Sequence, residues 1–115
     1  MLPNKMKITE RATSSLRRLQ SNTGITVNVS ARLAFFTSIA GNYSYYPEAE
    51  LQLDGRELEK HSWLGDYADV VEMLLVNKYP TYSDKERYRA WASHVDDGSL
   101  IIEAKSSLLE LASII

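Results

Sequence analysis

The stretch 16-LRRLQSNTGITVN-28 decides how the first third of the chain is built. Leu16 and Leu19 continue an apolar stripe begun by Ile8 and Ala12, at spacings of four, four and three residues, the period of one helix face. Gly24 stops that helix, because glycine takes the left-handed conformation that closes a last turn without strain. Thr26 then offers a capping hydroxyl to a second helix, with Asn28 in its first turn. The polar turn joins two helices, and Arg17 and Arg18 stand just before it.

Upstream, Lys5-Met6-Lys7-Ile8 alternates polar and apolar, a short strand with Lys5 and Lys7 on one face, and Thr9 is placed to cap the first helix. Downstream lies the most hydrophobic element. Val29, Leu33, Phe36 and Ala40 form one stripe, and Ala31, Ala34, Phe35 and Ile39 widen it, so burial on more than one side is expected. Gly41-Asn42 ends it, and a tyrosine-rich loop follows from 42 to 47. Leu51-Gln52-Leu53 and the turn pair Asp54-Gly55 suggest a hairpin with a return arm from Glu57 to Trp63, a stretch that equally suits a helical turn.

Helical spacing returns at Tyr67, Val70, Val71, Leu74 and Leu75, behind Asp66 and Asp69, and Tyr79-Pro80 ends that helix. Ser83 and Glu86 have the capping-box spacing, ahead of an apolar side of Tyr88, Trp91, Ala92 and Val95. Asp97-Gly98 is expected to break this helix. Leu100 to Ile115 then reads as a last helix or two, with Ile101, Ile102, Leu108, Leu109, Leu111 and Ile115 toward the core. The fold class expected is mainly α: a ribbon-helix-helix-like N-terminal unit of a short strand plus two helices, then a possible β-hairpin and two to four further helices.

A chain of 115 residues suits a single domain, 1–115, able to bury its own core. The absence of cysteine excludes a disulfide scaffold, a thiolate metal site, a cysteine-held iron-sulfur cluster and persulfide chemistry on this chain. The opening residues lack the apolar run of a signal peptide and no long apolar stretch follows, so the expected setting is the cytoplasm, without a membrane. Charge is divided unevenly. Residues 1–40 carry six cationic side chains against Glu10 alone, a net of +5, while the remainder carries −7. The domain thus splits into a basic part, 1–41, and an acidic, mainly helical part, 42–115, which suits a chain meeting a polyanion on one face and protein on another.

Strand, helix, glycine turn and helix in this order match a ribbon-helix-helix module. In such a module two subunits pair their single strands, outward side chains enter the major groove, and each second helix aims its N-terminus at a phosphate. Here Lys5 and Lys7, with Thr9 next in register, would face the groove, and Thr26 and Asn28 would meet the backbone. Arg11 and Arg18, seven residues apart, share a helix face, with Arg17 beside them, and would add phosphate contacts. The same order is also a common packing unit, and internal pairing of Leu51-Gln52-Leu53 with the first strand would remove the ribbon. For catalysis the chain offers His61 and His94 with Asp66, Asp96 and Asp97 nearby, at spacings that fit no helical metal pair or nucleophile elbow, so neither metal nor cofactor is expected. Tyr45 or Tyr46 could stack on an exposed base end, whereas Trp91 suits core or interface.

Ile8, Leu16-Arg17-Arg18-Leu19, Thr23-Gly24-Ile25-Thr26, Asn28 and Arg32-Leu33-Ala34 resemble the N-terminal signature of the DndE family, a small component of bacterial DNA phosphorothioate modification systems. Leu53-Asp54-Gly55-Arg56-Glu57-Leu58, Leu64-Gly65-Asp66-Tyr67 and the late Gly98 before an aliphatic run extend the resemblance over nearly the whole chain. Val27 stands where the family often has proline. The resemblance implies a largely helical homotetramer that binds duplex DNA, with nicked DNA preferred, beside a cysteine desulfurase, an adenylating sulfur-transfer component and an ATPase. Sulfur transfer needs a sulfur carrier and an activated phosphate, and a chain without cysteine or a glycine-rich phosphate loop supplies neither. Two functions follow as alternatives: a non-catalytic DNA-binding accessory subunit, or an oligomeric scaffold for other modification proteins without direct DNA contact.

Overall fold

A three-residue strand cannot hold itself in water, so Lys5–Lys7 must find a partner. In the computed structural model, which describes residues 2–60 and 65–114 and side chains as far as Ser106, that partner lies in the same chain. The described elements are β1 (Lys5–Lys7), α1 (Glu10–Thr23), α2 (Val27–Ile39), β2 (Glu57–Glu59), a 3-10 turn (Gly65–Tyr67), α3 (Ala68–Lys78) and α4 (Asp84–Ile114). The protein is mainly helical with one small two-stranded sheet.

β1 and β2 run antiparallel, with Lys5 opposite Glu59, Met6 opposite Leu58 and Lys7 opposite Glu57. Met6 and Leu58 point into the core while their charged neighbours stay outside. Further bonds, from Gly55 N–H to Ile8 O at 2.8 Å and from Lys60 N–H to Asn4 O at 2.7 Å, lengthen the ladder beyond the strands. The other edge of β1 is closed by Tyr88, whose hydroxyl accepts from Lys7 N–H at 2.6 Å and donates to Lys7 O at 3.3 Å. This corrects two expectations. β1 pairs with Glu57–Glu59 rather than with a second subunit or with Leu51–Leu53, and Glu57–Glu59 is no return arm of a 51–63 hairpin. The reason is the turn at Asp54-Gly55, which folds onto α1: a Cβ on Gly55 would lie 2.4 Å from both Thr13 Oγ1 and Thr9 O. Trp63, at the end of the expected arm, lies outside the described residues.

The local signals read from sequence govern the helix ends. Thr9 accepts from Ala12 N–H at 3.1 Å, Gly24 takes φ 79° and donates its N–H to Gln20 O at 2.8 Å, and Thr26 accepts from Val29 N–H. Ser83 and Glu86 exchange reciprocal bonds at 2.8 and 3.2 Å, the capping box in full. Val27, in place of proline, opens α2 as a buried side chain. The expected stripe Ile8, Ala12, Leu16 and Leu19 is buried throughout.

Gly98 does not break the last helix. Helix α4 runs through it as one 31-residue rod, because this glycine lies where α2 and α4 cross: a Cβ here would sit 1.8 Å from Ala34 O and 2.5 Å from Ala34 C. Close backbone approach, not a turn, explains the residue. Trp91, Ala92 and Val95 of α4 share one core with Ala31 and Phe35 of α2, and all are fully buried. Among the described residues helix α2 buries one face, through Val27, Ser30, Ala31, Ala34, Phe35 and Ser38, against α4 and α1. Its Val29 and Leu33 are 45% and 48% exposed, contrary to the expectation of burial on several sides. Of the expected C-terminal apolar positions, Ile101 and Ile102 are half-buried; the side chains of Leu108, Leu109 and Leu111, and all of Ile115, lie outside the described residues.

Candidate nucleic-acid interface

The cationic residues of the N-terminal part occupy three different settings. Lys5 and Lys7 lie on the outer face of β1, each directly opposite a glutamate of β2. Cross-strand pairs of opposite charge support a sheet, and here they also lower the net positive potential of that face. The strand therefore presents alternating charges rather than a basic ribbon.

Helix α1 presents Arg11 and Arg18 seven residues apart, and α4 presents Asp96 and Glu103 at the same interval. Equal intervals on two packed helices make a ladder. Arg11 donates to the Asp96 carboxylate, which also accepts from Thr9 Oγ1 at 2.6 Å. Arg18 grips Glu103 with two bonds, Nε to Oε1 at 2.7 Å and Nη2 to Oε2 at 3.2 Å, and Ser15 Oγ donates to the same carboxylate. Those bonds from Arg18 and Ser15 hold the Glu103 carboxyl below its usual range, and the bond to Glu103 lifts Arg18 above its ordinary value. The shared face predicted for Arg11 and Arg18 is real, but it is turned toward α4. Arg17 differs: it is exposed and makes no ion pair among the described residues.

Thr26 is exposed and spends its hydroxyl on the α2 cap, and Asn28 is half-buried beside it. Arg32, one turn further on, lies 5.5 Å from the centre of the Tyr67 ring. The structure thus leaves the predicted binding residues spread over β1, the outer side of α1 and the start of α2. The stacking candidates separate cleanly. Tyr46 is 64% exposed, whereas Tyr45 is core: its N–H donates to Tyr79 Oη at 2.8 Å and Arg89 reaches its hydroxyl. Base stacking by Tyr45 is therefore ruled out in this fold.

Sequence reasoning named His94 and Asp97 but not Ser38 and Tyr79, which join them in the best-organised polar group, between α2, α3 and α4. Ser38 Oγ donates to Asp97 at 2.7 Å, so His94 Nδ1–H donates to Ser38 at 2.8 Å, and His94 Nε2 accepts from the Tyr79 hydroxyl at 2.7 Å. Every ring nitrogen is committed. Burial, with a smaller contribution from Lys78, pushes the imidazole down to about 4, so it is neutral at pH 7. Serine, histidine and aspartate meet here in the wrong order for nucleophilic activation, because the serine proton goes to the aspartate and the imidazole has no free nitrogen to take it. Among the described residues no group of three or more His, Cys, Asp or Glu side chains is arranged to hold a metal. His61 lies outside the described residues. The matching seven-residue intervals were the one sequence signal for the ladder; nothing local announced the His94 chain.

Fold and site define a small helical protein whose polar chemistry is largely turned inward, with a modest set of outward cations and no helix among the described residues long and apolar enough to cross a membrane. Residues 5–110 match the family described as DndE, DNA sulphur modification protein DndE. The chain belongs to the DndE family. It is similar to the crystal structure of DndE from Escherichia coli B7A involved in DNA phosphorothioation modification, at 40% identity over 86% of this chain and 97% of that one, with a TM-score of 0.82. It is similar also to a double glycine-to-lysine mutant of DndE involved in DNA phosphorothioation, at 39% identity over 88% and 98% of the two chains, with a TM-score of 0.80. No curated protein matches the chain.

Proposed function

We propose that the chain is a non-catalytic, DNA-binding accessory subunit of a DNA phosphorothioation machinery. Family membership over residues 5–110 carries the pathway. Lys5, Lys7 and Arg17, the predicted cations left outside the α1–α4 ladder, supply the outward charge for phosphate contact. Such contacts position a protein on duplex DNA without reading sequence, and a nick changes the backbone they meet. The chain works in the cytoplasm beside sulfur-transfer and ATPase subunits that hold the sulfur and the activated phosphate.

The test is salt. Log affinity for a duplex should fall with log salt by roughly 0.9 per phosphate held, and joint replacement of Lys5, Lys7 and Arg17 by alanine should flatten the slope by about two to three contacts. Binding without salt dependence, or none, would sink this reading. Running intact and nicked duplexes of one sequence side by side measures the nick preference; equal affinities remove it.

A second role, as an oligomeric scaffold, is favoured by one observation: Val29 and Leu33 on the outer face of α2, and Ile25 in the turn just before it, are each more than a third exposed. A second copy of the chain is the occupant proposed, in keeping with the homotetramer that the family resemblance implies. Leu33→Glu should shift the wild-type assembly toward monomer in sedimentation while leaving helix content unchanged. A wild-type monomer, or an unchanged mutant assembly, counts against it.

A further inference from the structure

The Arg18–Glu103 pair is built so that one half can leave without disturbing the other. Arg18 is 57% exposed and, among the described residues, held by Glu103 alone, whereas Glu103, 32% exposed, is also held by the hydroxyl of the buried Ser15. Arg11, by contrast, is tied to both the carboxylate and the backbone carbonyl of Asp96, whose side chain is only 20% exposed. A guanidinium fork fits two oxygens of a carboxylate or of a phosphate in the same geometry. The exposed pair contributes little to folding stability, so removing Glu103 should leave the fold intact. Arg17, the preceding residue of α1, is likewise exposed.

We infer that Glu103 competes with DNA phosphate for Arg18, so that this carboxylate, rather than another cation, limits how tightly the chain holds duplex DNA. The inference rests on the DNA-binding reading above. It has a distinctive electrostatic consequence. While Glu103 holds Arg18, that guanidinium neutralises no phosphate and so releases no counterion from the duplex. Arg18 therefore adds nothing to the salt slope while Glu103 is present, and a full phosphate contact once it is gone.

Glu103→Gln keeps an oxygen for Ser15 and removes the competing charge. Titrated into one labelled duplex across a salt series, it should show a slope steeper than wild type by about 0.9, and binding about eightfold tighter at 0.1 M salt, that slope taken over one decade. Arg18→Ala should change wild-type binding little and abolish the entire gain in the double mutant. Glu103→Ala should behave as Glu103→Gln does, and thermal unfolding checks that each variant is folded. An unchanged slope in both folded Glu103 variants overturns the inference, and so does a gain that survives Arg18→Ala, since that would be mere loss of a negative charge. Absent or salt-insensitive binding by the wild type is a different failure: it removes the DNA-binding reading and the competition with it.

Discussion

Replacing Gly98 by alanine should destabilise the protein by about 3 kcal/mol or more, although the same change in an open helix stabilises by about 1 kcal/mol. The sign reverses because the new methyl group would sit 1.8 Å from Ala34 O, with Ala34 C at 2.5 Å and Cα at 2.8 Å. These are backbone atoms, so no rotamer change relieves the overlap. The two helices would have to separate, parting the core that Ala31, Phe35, Trp91 and Val95 share. A fall in Tm of roughly 10 °C or more is expected, and Ala34→Gly should not rescue it, because the clash is not with the Ala34 side chain. Gly24→Ala is the comparison: it meets nothing within 4 Å, and its φ of 79° should cost only about 1–2 kcal/mol. If Gly98→Ala unfolds at or above the wild-type temperature, the crossing is not where it is placed here.

Lowering the pH from 6.5 to 4 should remove about 3 kcal/mol of stability through His94 alone. The imidazole is held neutral in the fold, with its pKa pushed from 6.5 to about 4 by burial and by Lys78. Between those values the unfolded chain binds a proton that the folded chain refuses, so stability rises with pH across this window and is lost as pH falls through it. The mechanism is structural as well as electrostatic. Protonated Nε2 could no longer accept from Tyr79, whose hydroxyl also receives the Tyr45 N–H. Glu103 acts in a lower window, since its depressed carboxyl contributes stability above its ordinary value and loses it only in more acid solution. His94→Gln should be less stable than wild type at pH 7 and should lose less between pH 6.5 and 4, so that the two curves converge. Urea unfolding at closely spaced pH values measures this directly. Parallel curves would mean that the buried histidine is not the group titrating.

Much of the local structure could be read from short-range chemistry. Thr9, Gly24, Thr26 and the Ser83–Glu86 box each act within four residues of themselves, and all perform the roles that their sequence neighbourhood suggests. The buried stripe of α1 followed from periodicity for the same reason. Where the reading failed, the deciding contact was remote. Leu58 is drawn to Met6 across 52 positions of chain, and Gly98 is a glycine because of Ala34, 64 positions earlier. From nearby, Gly98 looks like ordinary turn punctuation and Leu58 like part of a hairpin arm.

The candidate site divides along the same line. Composition by itself placed the positive charge in the first forty residues and excluded cysteine-based sulfur chemistry, because those properties depend on which residues are present and not on where they fold. Family signature motifs added the membership that residues 5–110 share with DndE. Only the tertiary structure decided which cations face outward. Arg11 and Arg18 share one helix face by periodicity, but whether that face meets solvent or the carboxylates of Asp96 and Glu103 depends on how α1 is rotated against α4. The rotation is set by core packing of Ala12, Leu16 and their partners, which no local sequence rule specifies.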